Sequence, residues 1–196
     1  MSTSRAAILK AVRSAPYAEV PLPDLASLHA VSGAPSLEAF TATLDLIGAR
    51  WIRGADLTDA IAWVEANVPA SALIASTVSG LTGSIHLATI SDPHALDGIH
   101  TAVVPGRFGV CENGAVWLDE AALGPHRVLP FIAEHLVVVL PVTELVATMH
   151  QAYARLKAPE SDFGVFLAGP SKTADIEQCL VVGAHGARSC TVLLLG

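Results

Sequence analysis

The chain has 196 residues, of which 52% are hydrophobic, 15% charged and 5% aromatic, and its 11 basic against 18 acidic side chains give a formal net charge of −7. That composition excludes a disordered chain, which needs low hydrophobicity, and a coiled coil rich in Glu and Lys, while the acidic balance without any basic run removes the footprint of a nucleic-acid binder. Mean hydropathy is +0.53, yet the longest apolar runs, near residues 136–142 and 191–195, are far shorter than the ~20 residues of a membrane span.

A chain of this size buries about 70% of its surface on folding, enough for one sizeable core. Residues 4–12 predict an amphipathic helix, with Arg5 and Lys10 spaced through apolar residues and no continuous apolar centre of the signal-peptide kind, so a cytoplasmic location is expected. Proline and glycine then cluster over residues 16–35. Residues 1–35 are therefore read as an N-terminal helix with a loop-rich arm, and residues 36–196 as a single α/β domain. Ser36 is a candidate N-cap for a helix carrying Leu37, Phe40, Leu44 and Ile47 at helical spacing, with Gly48 as its stop.

From there strands and helices alternate. Strands are predicted at residues 50–53, 72–76, 100–105, 115–119, 135–140, 164–168 and 189–195, and helices at 57–67, 143–156 and 174–182. Continuous Val/Leu strands divided by helices are what a parallel sheet covered on both faces requires, so the expected fold is a three-layer α/β domain with a mainly parallel sheet. The cysteines, Cys111, Cys179 and Cys190, lack the spacing of a metal or cluster site and read as reduced thiols.

Gly169-Pro170-Ser171-Lys172-Thr173 follows a predicted strand and opens a predicted helix. Ligands of α/β sheets bind beyond the carboxyl ends of strands, and helix N-termini offer free N–H groups to anions. Gly169 permits a tight turn, Ser171 and Thr173 supply hydroxyls, and Lys172 a positive charge, which suits a small pocket for phosphate or carboxylate. Thr173 as an N-cap, with Asp175 and Glu177 in the first helical turn, satisfies the same N–H groups without a ligand. The spacing is not that of a Walker loop.

That segment, followed by Val181-Val182-Gly183-Ala184-His185-Gly186, resembles the C-terminal signature of the LutC/YkgG family, the lactate utilization protein C group with a LUD domain. Cys111-Glu112-Asn113-Gly114-Ala115 is similar to the family's Ala-Glu-Thr-Gly-Thr element. Leu129-Pro130 with Glu134-His135 is similar to its Leu-Pro-(Pro)-x-His-(Ile/Leu) element just before a Val-rich strand. Asn113 and Ala115 replace the family's two threonines, which marks a divergent branch. The resemblance implies a NagB/RpiA/CoA-transferase-like fold and a role in oxidising L-lactate to pyruvate, with iron–sulfur clusters carried only by partner subunits. It implies no intrinsic cofactor, with CoA or a phosphorylated ligand as the alternatives.

Other residues complete the candidate site. Glu112, next to the Asn113-Gly114 turn, suits a general base or a covalent carboxylate, and Asn113 suits a hydrogen bond to a substrate carbonyl, though each is also ordinary in a surface turn. Arg127 suits a bidentate clamp on a carboxylate, and His135, opening a strand, suits proton transfer. His86, His94 and His100 follow neither helical nor finger-type spacing, so no metal site is expected. The leading expectation is a protein that binds a small anionic metabolite, catalytic through Glu112 and His135. A non-catalytic assembly or metabolite-sensing subunit, or a CoA or phospho-sugar enzyme of the same fold, stands beside it, and a homo-oligomer is compatible with each.

Overall fold

The computed structural model describes residues 3–15, 20, 21, 23, 33–156, 163–173 and 180–196. The chain divides into two compact units, Met1–Val31 and Ser32–Gly196. The first carries helix α1 (Thr3–Arg13), with Lys10 and Arg13 in its last turn, where cations suit the carbonyl end of the helix dipole.

The second unit is built on a five-stranded sheet. Its strands are β1 (Arg50–Gly54), β2 (Ile74–Ser76), β3 (Thr101–Pro105), β6 (His135–Pro141) and β11 (Ser189–Leu195), in the spatial order β1-β11-β6-β3-β2 with every pairing parallel. All five strands therefore start at one edge and end at the other. The central three are in register, Thr101 beside His135 and His135 beside Ser189.

Both faces of this sheet are buried, which explains its unbroken Val/Leu runs. One face places Val103, Val137, Val139 and Leu193 against Ala60 and Val64 of α3 (Leu57–Asn67), whose N-cap Asp56 accepts from the amides of Thr58 and Asp59. The other places Ala102, Val104, Leu136, Val138, Leu140, Val192 and Leu194 against Phe40 and Leu44 of α2 (Leu37–Leu46). Ser36 caps α2 as expected, accepting from Ala39 N at 3.2 Å. Each fully buried side chain of this size contributes about 1.5–3 kcal/mol, so these two clusters dominate the stability of the unit.

The outer layer on the α2 side also holds a second, mixed sheet. It consists of β4 (Phe108–Val110), β5 (Val116–Asp119), β7 (Leu145–Val146) and β8 (Gly164–Leu167), in the order β7-β4-β5-β8, with the short helices α4 (Glu120–Leu123) and α5 (Leu129–Ile132) lying between β5 and β6 in the chain. Val116, Leu118 and Leu145 of this sheet share one buried cluster with Leu136, Val138 and Leu140 of β6, so the two sheets are joined by a common core. The architecture is thus a three-layer α/β fold with a mainly parallel central sheet.

Three expectations are corrected. The strand at 164–168 exists, but as β8 it pairs antiparallel with β5 in the second sheet, so the loop after it does not leave the carboxyl edge of the parallel sheet. The helix expected over 143–156 is split: a 3-10 turn at Val142–Glu144 precedes β7, and α6 (Met149–Arg155) begins only after the N-cap Thr148. Residues 145–147 have backbone partners across the sheet, including Cys111 N to Val146 O at 2.9 Å and Glu112 N to Ala147 O at 3.0 Å, and this pairing overrides their helical periodicity. Of the helix expected over 174–182, residues 174–179 lie outside the described residues. Val181–Val182 form β10, antiparallel to β9 (Lys172–Thr173), because β-branched residues with ladder partners favour an extended backbone.

Candidate functional site at the amino edge of the sheet

The parallel register brings the first residues of β3, β6 and β11 side by side, and each of these strands is entered through polar residues: His100-Thr101, Glu134-His135 and Arg188-Ser189. His135 Nδ1 lies 2.7 Å from Ser189 Oγ, and His100 Nδ1 lies 2.8 Å from Thr101 Oγ1. The two imidazole centroids are 4.7 Å apart. Glu134 Oε1 sits 3.8 Å from His135 Nε2 and accepts from Arg188 Nη1 at 2.5 Å. Partial burial holds His135 below the ordinary imidazole value of 6.5; His100 pushes the same way, Glu134 opposes, and Arg188 adds to the lowering. A neutral ring at pH 7, reachable from solvent, can accept or relay a proton.

The Gly169–Thr173 segment approaches this edge from the side of α2. Ser171 N donates to Ala187 O at 2.8 Å, and Gly183 N donates to Ser171 O at 3.0 Å, so the segment is stitched to the loop that enters β11 at Arg188. Gly169 has φ +74°, and a Cβ there would lie 3.1 Å from Ile47 O. Lys172 Nζ donates to the same Ile47 carbonyl, placing its charge on the C-terminal end of α2, where the helix dipole favours a cation. The Asn113-Gly114 turn reaches the same residue, since a Cβ on Gly114 (φ +69°) would meet Ile47 Cδ1 at 2.8 Å. Ile47 is therefore where two of the motifs meet.

The remaining candidates hold other contacts. Glu112 Oε2 accepts from Met149 N at 2.7 Å, a cap on the first turn of α6, and Asn113 Oδ1 accepts from Ala115 N at 3.0 Å across its own turn. Arg127 Nη2 donates to Glu120 Oε1 at 2.5 Å, and its guanidinium lies 5.4 Å from the Phe163 ring centroid. His135 joins Gly169–Lys172 through Ala187–Ser189, whereas the hydrogen bonds of Glu112 and Arg127 lead to α6 and α4 instead.

Sequence reasoning passed over His100, Glu134, Arg188 and Ser189 as a set. The signal was present: a polar pair stands at the entry to each of the three buried central strands, and in a parallel sheet all such pairs arrive at one edge. His100 is misread when grouped with its sequence neighbours His86 and His94 rather than with residues across the sheet.

With fold and site in view, the class is defined: the chain belongs to the LUD-domain family, whose model, described as LUD domain, matches residues 95–195. That range contains every candidate site residue except the packing residue Ile47. The chain is also similar to a particular protein, "Lactate utilization protein C" of Shouchella clausii (strain KSM-K16), 31% identical over 91 residues. The alignment takes in 43% of this chain and 39% of that protein, so the chain matches well under half the length of this curated relative. The fold is similar to that of a DUF162 family protein from Deinococcus radiodurans known from a crystal structure. The TM-score is 0.60 at 16% identity, covering 90% of this chain and 100% of that one.

Among the described residues no helix is long and apolar enough to cross a membrane.

Proposed function

We propose that this protein serves the utilization of L-lactate or a related 2-hydroxy acid in the cytoplasm, binding a small anionic metabolite at the amino edge of its parallel sheet. Oxidation to pyruvate in this reading proceeds with iron–sulfur partner subunits, in keeping with three cysteines that lack cluster spacing. The observation that carries the reading is the similarity to a lactate utilization protein C, in a chain whose LUD-domain half holds the candidate residues.

Anion binding is supported by chemistry at that edge. Lys172 and Arg188 supply positive charge on the two segments joined by the Ser171–Ala187 hydrogen bond, and the hydroxyls of Ser171, Thr173 and Ser189 supply donors. His135 is the group suited to take or return the proton of a 2-hydroxy acid. Arg127 and Glu112 enter this reading as supports, since their charges already meet Glu120 and the α6 amide.

Because Glu112 is so engaged, a non-catalytic assembly or metabolite-sensing subunit is the second reading. Calorimetric titration with L-lactate tests the first. Lys172→Ala is expected to weaken binding by about 1–3 kcal/mol, the loss of a charge-assisted hydrogen bond. Unchanged affinity returns Lys172 to the capping of α2 alone. Co-elution with cluster-bearing partners, without turnover by the isolated chain, favours the subunit reading.

A further inference from the structure

We propose that His100, Glu134 and His135 form a binding site for a divalent transition cation of the zinc type, with Thr101 and Ser189 orienting its two imidazole ligands. The inference stands on geometry alone and does not depend on the lactate reading; while the ion is bound, His135 ligates it and takes no substrate proton.

One donor atom from each of the three side chains can be chosen so that all lie within 4.8 Å of one another. Zinc bonds of about 2.0–2.2 Å place tetrahedral neighbours roughly 3.4 Å apart. The 3.8 Å between His135 Nε2 and Glu134 Oε1 is already close to that, and the widest gap closes through side-chain shifts of about 1.5 Å.

The surroundings match what metal-bound histidines need. A ligating imidazole usually donates its second ring N–H to an acceptor, which fixes the tautomer and aims the other nitrogen. Both Nδ1 atoms here already lie on hydroxyl oxygens, Thr101 Oγ1 at 2.8 Å and Ser189 Oγ at 2.7 Å. With Nδ1 protonated, both Nε2 lone pairs are left for an ion. The carboxylate is supported in the same way: Arg188 donates to Glu134 Oε1 and holds the group beside the rings, and the carboxylate keeps further lone pairs with which to ligate. Arg188 is also a positive charge near the ion, which opposes any cation and sets this site apart from a cluster of acids.

The donor set selects the ion. Two imidazoles and one carboxylate favour zinc and its first-row neighbours over magnesium and calcium, which prefer oxygen alone. Three protein ligands leave at least one coordination position open to solvent, as in catalytic rather than structural zinc sites. Side-chain exposures of 33% for His135 and 41% for Glu134 give an ion a route in.

The test is calorimetry of the full chain with zinc chloride, after treatment with a chelator. One equivalent is expected to bind, magnesium is expected to give no heat, and His100→Ala and His135→Ala are each expected to lower affinity more than 100-fold. Ser189→Ala is expected to lower it about 10- to 100-fold, the usual effect of losing an outer partner. His94→Ala, on an exposed ring paired with Asp92, is expected to change nothing. Absence of binding, or binding that survives both histidine replacements, overturns the proposal. If a replacement unfolds the chain by circular dichroism, the histidine-ring 15N spectrum of the unaltered protein decides. Zinc must then move the Nε2 resonances of His100 and His135, and movement of other rings in their place overturns it equally.

Discussion

At the carboxyl edge of the parallel sheet several polar side chains serve the backbone, although Thr77 Oγ1, just past β2, is buried without a hydrogen-bond partner. Asp56 Oδ1 accepts from Thr58 N at 2.7 Å, Asp59 Oδ2 from Ala55 N at 2.6 Å, and Ser76 Oγ from Val78 N at 3.2 Å. Gly106, just past β3, is hemmed in so closely that a Cβ would meet Val116 Cγ1 at 2.7 Å. At the amino edge the polar groups instead meet one another: His135 with Ser189 and Glu134, Glu134 with Arg188, His100 with the His135 ring. The general preference of α/β ligands for carboxyl ends reflects where loops leave polar groups available. In this chain the capping side chains at the carboxyl end are engaged with backbone amides, whereas the polar side chains at the amino end engage one another.

The largest expected effect separates stability from binding. Leu140, fully buried near the carboxyl end of β6, should cost about 2–5 kcal/mol when replaced by Ala, read from urea unfolding. Affinity for L-lactate in the folded variant should stay unchanged, because the cavity opens at the opposite end of the strand. A weakened affinity in folded protein would blur the distinction between the two edges.

A smaller effect sharpens it through pH. The folded state holds His135 below 6.5, whereas the unfolded chain accepts the proton near 6.5. The unfolded state therefore binds more protons across that interval, and stability falls as pH drops through 6.5 until it passes below the depressed folded value. Melting temperatures between pH 8 and pH 5 should show this limb, and His135→Asn should flatten it. His94→Asn, whose ring is 94% exposed, should leave it in place.

Much of the fold was legible because its strands are buried on both faces and read as continuous Val/Leu runs, from Ala102-Val103-Val104 to Val192-Leu193-Leu194. The caps at Ser36 and Asp56 follow from local side-chain chemistry in the same way. The second sheet was not legible, since β4 and β7 are three and two residues long and their partners lie elsewhere in the chain. Lys172 illustrates the same limit at the site: local sequence marks it as a cation after a tight turn, but its contact with Ile47 spans 125 residues. His100 and Ser189 acquire meaning only through the register of a sheet, which no local window contains.

The amino edge is proposed as the working end of the parallel sheet, and a 15N NMR titration of the full chain with L-lactate tests this most directly. Saturable shifts of the His100 and His135 rings and of the Ser171 and Arg188 amides, with the Ala55, Thr58 and Gly106 amides unmoved, are the predicted result. Shifts confined to Ala55, Thr58 and Gly106, with both rings unchanged, would contradict it.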